Sequence, residues 1–378
     1  MTGLGLGLGI GFSSGVGDLV APLFGSALYV DIDPSFQDRL TKSYTDGSAD
    51  KVTNGTFTTD STWAKGTNWT IGSGVGNSTG STAAQYIEQN CLVSGATYAI
   101  TFTVAASSNT VTPYAGTAAG TAVGTGTYTQ FITANGAALK FGGHASGFTG
   151  TIDNVSAIEC PAVAVANEPL CAARMTADIG DACNLAKVSD ATALKWWPAG
   201  WGGNGSLIAN GSHYGTIDAL AAKFTAEDSA LCVIAVMRMI SVVHNKFAWH
   251  VARSASPTPF RTLKTNGSDW RMSKRDNVGT LLDVDASTTI NTDHTVVASY
   301  DTGTTVWLWK DGVVTAVNGD SFNVGAHTLN QFTFGAYRQG ATVTAGIAYE
   351  LRRVIVAGSP ALADVSTVAN DLTARYGI

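Results

Sequence analysis

The stretch Tyr98-Ala-Ile-Thr-Phe-Thr-Val104 places Tyr98, Ile100, Phe102 and Val104 on alternate positions, with small or hydroxylic residues between them. A period of two predicts a strand with one face in a core and the other toward water. Similar short segments, 62–74, 85–95, 126–143 and 148–159, surround it, separated by Gly, Asn and Ser. Strands at this spacing predict an antiparallel sandwich over residues 49–160.

A second β-rich block follows from residue 205. Its clearest hairpin is Thr305-Val-Trp-Leu-Trp-Lys-Asp-Gly-Val-Val-Thr315, with Asp311-Gly312 at the turn. Ser359-Pro360 then signals a helix, along which Leu362, Val365, Val368, Leu372 and Tyr376 keep helical spacing until Gly377. The expected fold is all-β: two antiparallel jelly-roll sandwiches in tandem, with an extended N-terminal arm and a short C-terminal helix. The expected segments are an arm (1–48), a first sandwich (49–160), a linker with short helical potential (161–204) and a second sandwich (205–378).

The first block resembles the jelly-roll carbohydrate-binding modules of xylanase-type enzymes. The resemblance rests on Asn54-Gly55-Thr56-Phe57, Trp63, Trp69, Gln89, the 95–102 strand and the closing Thr151-Ile-Asp-Asn-Val155. It implies sugar-stacking aromatics, for which Trp63, Trp69 and Tyr86 are the candidates, and a structural calcium held in part by Asp153. Tryptophans in strands are also common core residues, so Trp63 and Trp69 carry both readings. Residues 205–378 resemble the laminin-G or concanavalin-like jelly roll through the order of hairpin, F-x-F-G, late strand and terminal helix.

Composition narrows the function. The 378 residues carry a formal net charge of −6, and the Lys and Arg are scattered, which argues against nucleic-acid binding. Glutamates are few, at 88, 159, 168, 227 and 350. Glycoside hydrolysis needs two carboxylates flanking the bond, and the E-x-D-x-x-E motif of concanavalin-like glycosidases does not occur. The six histidines show neither H-E-x-x-H nor the company of a triad, so no catalytic residue is assigned and the expectation is a protein that is not an enzyme. The five cysteines, at 91, 160, 171, 183 and 232, lack zinc spacing; Cys160, Cys171 and Cys183 leave a linker disulfide and buried thiols as equal alternatives. Gly200–Gly205 matches G-x-G-x-x-G by letter but follows Trp196-Trp197-Pro198 instead of a strand, so it reads as a loop. Trp196, Trp197 and Trp201 around it suit either an aromatic platform for a sugar or a plug between domains.

The N-terminus alternates glycine with Leu4, Leu6, Leu8, Ile10 and Phe12. Each glycine in an element interior costs about 0.5–1 kcal/mol relative to alanine, so this segment needs a partner to order. The first positive charge is Arg39 and Asp18 interrupts the apolar run, which disfavours a secretory signal and a membrane span. Read as a docking peptide, extended in preference to helical, it buries its five apolar side chains against a neighbour. An apolar arm joined to two lectin-like sandwiches resembles the virion proteins of tailed bacteriophages. That resemblance implies a decoration, fibre or neck component on the virion surface, docked through the arm to other virion proteins. It further implies a homo-oligomer, with a trimer favoured, and sandwiches that contact host glycans. The alternatives are a secreted carbohydrate-binding protein and a polysaccharide depolymerase.

Overall fold

The computed structural model describes residues 19–36, 39–43, 49–200, 205–224, 230–240, 246–255, 260–267, 269–275, 281–286, 294–302, 305–318, 329–344, 346 and 348–378. The docking residues Leu4, Leu6, Leu8, Ile10 and Phe12, together with Trp201, lie outside them.

The chain is mostly β, with two sandwiches. The first packs two five-stranded antiparallel sheets face to face. One runs in the order Gly126–Thr133, Thr97–Ser108, Phe148–Glu159, Val75–Ser81, Trp69–Gly72. The other runs Ala64–Lys65, Tyr86–Asn90, Ala138–Gly142, Thr112–Ala115, Ala118–Ala119. As the alternation requires, Tyr98, Ile100, Phe102 and Val104 point into the core, where they meet Ile87, Leu139, Phe141 and Ile152. The two motifs that bracket this block in sequence touch in space. Val155 donates its N–H to the Gly55 carbonyl at 2.9 Å. A Cβ on Gly55 would lie 1.8 Å from the Val155 oxygen, so the approach requires glycine.

The second sandwich pairs a ten-stranded sheet with a six-stranded one. Its centre is the strand Ala348–Ala357, which pairs along one edge with Leu231–Met239. The other edge is shared: Ser206–Asn210 takes the first half and Leu28–Ile32 the second. Val233, Ala235 and Met237 face the six-stranded sheet, where Trp249, Leu263 and Trp270 close the core. Cys232, Ile234 and Val236 face the other way, onto Val20 and Phe24 of the helix Val20–Phe24 and onto Val365, Val368 and Leu372 of the C-terminal helix Leu362–Tyr376. That helix ends as expected, with Gly377 at φ 68°. The hairpin Val306–Lys310/Val313–Asn318 also forms as expected, with Asp311 and Gly312 at φ 50° and 78°, the pair of left-handed residues that a two-residue type I′ turn needs.

The segment boundaries differ from the sequence expectation. Residues 28–32 and 40–43, expected in an extended arm, are strands of the ten-stranded sheet, and so are 162–165 and 195–197 from the expected linker. Val30 and Ile32 explain the recruitment, because their apolar side chains complete the core between the two sheets, while Leu28 packs into the cluster on the helix side. Leu40–Ser43 pairs antiparallel with Ala162–Val165. The first sandwich is therefore nested in the second, carried between two neighbouring strands of its sheet. The rest of the linker holds the helix Pro169–Ile179, which Glu168 caps by accepting the Cys171 N–H at 3.0 Å. All five cysteines are unpaired, which selects buried thiols over a linker disulfide. Among the described residues no helix is long and apolar enough to cross a membrane.

Buried ion pairs fasten the N-terminal segment to the central strand. Asp31 receives two hydrogen bonds from Arg353, at 2.8 and 2.5 Å, and Arg352 reaches Asp33. Asn167 adds a clasp: its side chain accepts the Asp31 N–H at 2.9 Å and donates to Tyr29 and Ala182 carbonyls.

His213 and His250 are buried, and loss of hydration pushes both imidazoles down to about 3. Their folded pKa lies below the unfolded value of about 6.5, so their contribution to stability is whole above that pH and is lost as pH falls toward 3. The expected slope is about 1.4 kcal/mol per pH unit for each imidazole. Urea midpoints at neutral pH and at about pH 5 check this; a midpoint that holds steady across that window refutes it.

Candidate functional site

The outer faces of the first sandwich differ in chemistry. On the sheet that holds Thr97–Ser108, hydroxyls pair across strands: Thr97 with Thr133 and Thr101 with Thr129 at 2.9 Å, Thr103 with Thr127 at 3.0 Å. These hydroxyls already have partners within the sheet.

The opposite sheet presents other groups. Along Tyr86–Asn90, Ile87 and Gln89 point inward, leaving Tyr86 and Glu88 half-buried on the outer side. Along Ala138–Gly142, Leu139 and Phe141 point inward and Lys140 outward. On Thr112–Ala115 the outward pair is Thr112 and Tyr114. The register then assembles two rows across the three strands. Tyr86, Gly142 and Thr112 lie side by side, and next to them Glu88, Lys140 and Tyr114. Gly142 has no side chain to separate the rings that flank it. A Cβ there would sit 2.8 Å from Tyr86 Cε1 and 3.1 Å from Tyr114 Cε2. The rings meet edge to face, centroids 5.7 Å apart at 83°. The Lys140 ammonium stands 5.1 Å from the Tyr86 ring centroid, within cation–π range. Neither Lys140 nor Glu88 makes a salt bridge among the described residues, although they sit directly opposite each other in the ladder.

Of the described aromatics singled out from sequence, Tyr86 alone belongs to this face. Of the two readings open for Trp63 and Trp69 the core one holds and the sugar-stacking one does not, since they are 5% and 4% exposed. Trp63 packs on Phe57 and Phe141 with its indole N–H on the Asn54 carbonyl at 3.1 Å, and Trp69 packs on Phe148 with its N–H on the Gln85 carbonyl at 3.0 Å. Both polar edges are satisfied internally, which is why large rings can be buried here. Trp196 is likewise corrected to the core of the second sandwich. Trp197 is half-buried and spends its ring on Phe131 of the first sandwich, centroids 5.0 Å apart, which makes it a contact between the two units instead of a platform. Asp153 lies on the hydroxyl-rich sheet and accepts the Asn154 N–H at 2.7 Å. Among the described residues no three acidic, His or Cys side chains converge to hold a metal; the calcium that the resemblance implies would draw on backbone carbonyls beside Asp153.

Sequence reading missed Tyr114, Lys140 and Glu88. The available signal was the alternation itself, in which Tyr86/Glu88, Lys140/Gly142 and Thr112/Tyr114 all flank core residues.

No protein-family description and no curated protein matches the chain. Solved structures give shallow likenesses. The CBM40 module of the Ruminococcus gnavus IT-sialidase aligns at 15% identity over 43% of this chain and 95% of its own, with a TM-score of 0.37. Domain 4 of AbnA, a GH43 extracellular arabinanase from Geobacillus stearothermophilus solved with arabinotriose, aligns at 12% over 48% of this chain and 84% of its own, TM-score 0.36. The NanB sialidase from Streptococcus pneumoniae aligns at 11% over 41% of this chain and 26% of its own, TM-score 0.35.

Proposed function

We propose that the protein is a carbohydrate-binding adhesin that does no chemistry on its ligand, and that the Tyr86–Tyr114 face is where the first sandwich takes a sugar. The observation that carries this reading is the pair of half-exposed tyrosine rings over Gly142, beside a cation and a carboxylate without a salt bridge. A pyranose has an apolar face that lies against an aromatic ring and a rim of hydroxyls that needs donors and acceptors at the edge. The face supplies both kinds of group on one rigid sheet. It is small, so each contact is weak, and several copies on one assembly multiply the effect through avidity.

A glycan array probed with the full chain tests this. The expected result is binding by the wild type and a loss of about tenfold or more in Tyr114→Ala, the scale of one stacking contact. Wild-type silence at high valency, or a Tyr114→Ala variant that binds equally well, defeats the reading.

The glycine-alternating stretch around Leu4–Phe12 supports a second element: attachment to a larger particle, of which a phage virion with trimeric fibres is the reading that the sequence favours. Deletion of residues 1–17 is expected to abolish incorporation into particles while leaving glycan binding intact. Full incorporation of the truncated chain removes this element and leaves the adhesin reading in place.

A further inference from the structure

We infer that the ligand of this face is a neutral glycan bearing two adjacent hydroxyls, read by Glu88 and Lys140 together. The inference rests on the carbohydrate-binding reading above and adds the class of sugar.

Glu88 and Lys140 are opposite residues of an antiparallel pair, which puts their Cβ atoms about 4.5–5.5 Å apart. At that separation a salt bridge is the expected default, yet the Lys140 ammonium turns to the Tyr86 ring and Glu88 pairs with no cation among the described residues. Both groups are half-buried, and both lie beside Tyr114 or Tyr86. They therefore offer one acceptor and one donor, a few ångströms apart, at the edge of an aromatic surface.

A vicinal diol matches that pair. One hydroxyl donates to a Glu88 carboxylate oxygen and its neighbour accepts from the Lys140 ammonium, while the ring above them stacks on tyrosine. An acidic sugar matches it poorly. A carboxylate that reaches Lys140 must approach Glu88 as well, and like charges at that distance repel. The pair thus selects against uronic and sialic acids while it holds neutral hexoses.

The test is titration of the full chain with lactose and cellobiose, and with 3′-sialyllactose and a galacturonic acid disaccharide as the acidic probes. At least one neutral probe is expected to bind about tenfold or more tighter than either acidic one. Glu88→Gln is expected to weaken the neutral probe about tenfold and to narrow the gap to the acidic probes, and Lys140→Met to weaken the neutral probe similarly. Unchanged melting temperatures in both variants tie the losses to recognition. Acidic probes that bind as tightly as neutral ones, or a Glu88→Gln variant with undiminished neutral binding, overturn the inference. If acidic probes bind and Tyr114→Ala abolishes that binding, the carbohydrate-binding reading survives and the choice of sugar class fails. If no probe binds and Tyr114→Ala changes nothing on the array, both fall.

Discussion

Asp31→Ala is expected to destabilise the second sandwich by about 3–5 kcal/mol, the cost of breaking a buried ion pair by removing one partner. The Arg353 side chain is 5% exposed and that of Asp31 9%, so the guanidinium would stay buried without its bidentate carboxylate. The loss also propagates. Leu28–Ile32 holds the second half of one edge of the central strand, and Val30 and Ile32 belong to the core beneath it. Urea unfolding of full-length wild type and variant measures the effect. Asp31→Asn keeps the size and one acceptor and is expected to lose less. A loss below about 1 kcal/mol, the ordinary range of exposed pairs, shows that the segment is not fastened in this way.

Trp63→Ala is expected to cost a further large amount, about 3–5 kcal/mol, the scale for deleting a buried aromatic. Trp63 fills space between Phe57 and Phe141, and its indole N–H ties the Asn54 carbonyl into place. The same measurement separates a core role from a ligand role. A core role lowers the unfolding midpoint of the first sandwich whether or not sugar is present. A variant with unchanged stability and lost glycan binding would restore Trp63 to the site.

Local periodicity made much of the architecture legible. The 98–104 strand, the Asp311-Gly312 turn and the helix closed by Gly377 each depend on residues within a few positions of one another. The motifs around Gly55 and Val155 were legible as a resemblance, and the geometry supplies a reason for the glycine in the close approach of a carbonyl. What the sequence hid was partnership at long range. Nothing near Val30 announces that it pairs with Val356, and nothing near Ala162–Val165 or Lys195–Trp197 announces strands that need neighbours from residues 40–43 and 206–210. The site was hidden for the same reason. Tyr86 was visible as a sugar-stacking candidate through the resemblance, but Tyr114 and Lys140 become its neighbours only once three strands take a register.

The nesting of one sandwich in the other sets an order of events during synthesis. The inner core draws only on residues 52–157, a contiguous run that leaves the ribosome long before the outer sheet can close. The outer sheet waits for Ala348–Ala357, because both Leu28–Ile32 and Leu231–Met239 pair with that strand. Such distant pairings pay the entropy of closing a long loop before they are rewarded, and they fold slowly. A folded inner unit shortens that loop by holding Ser43 and Ala162 near each other in advance, so that the nascent chain reaches its last strands with its first ones already brought together.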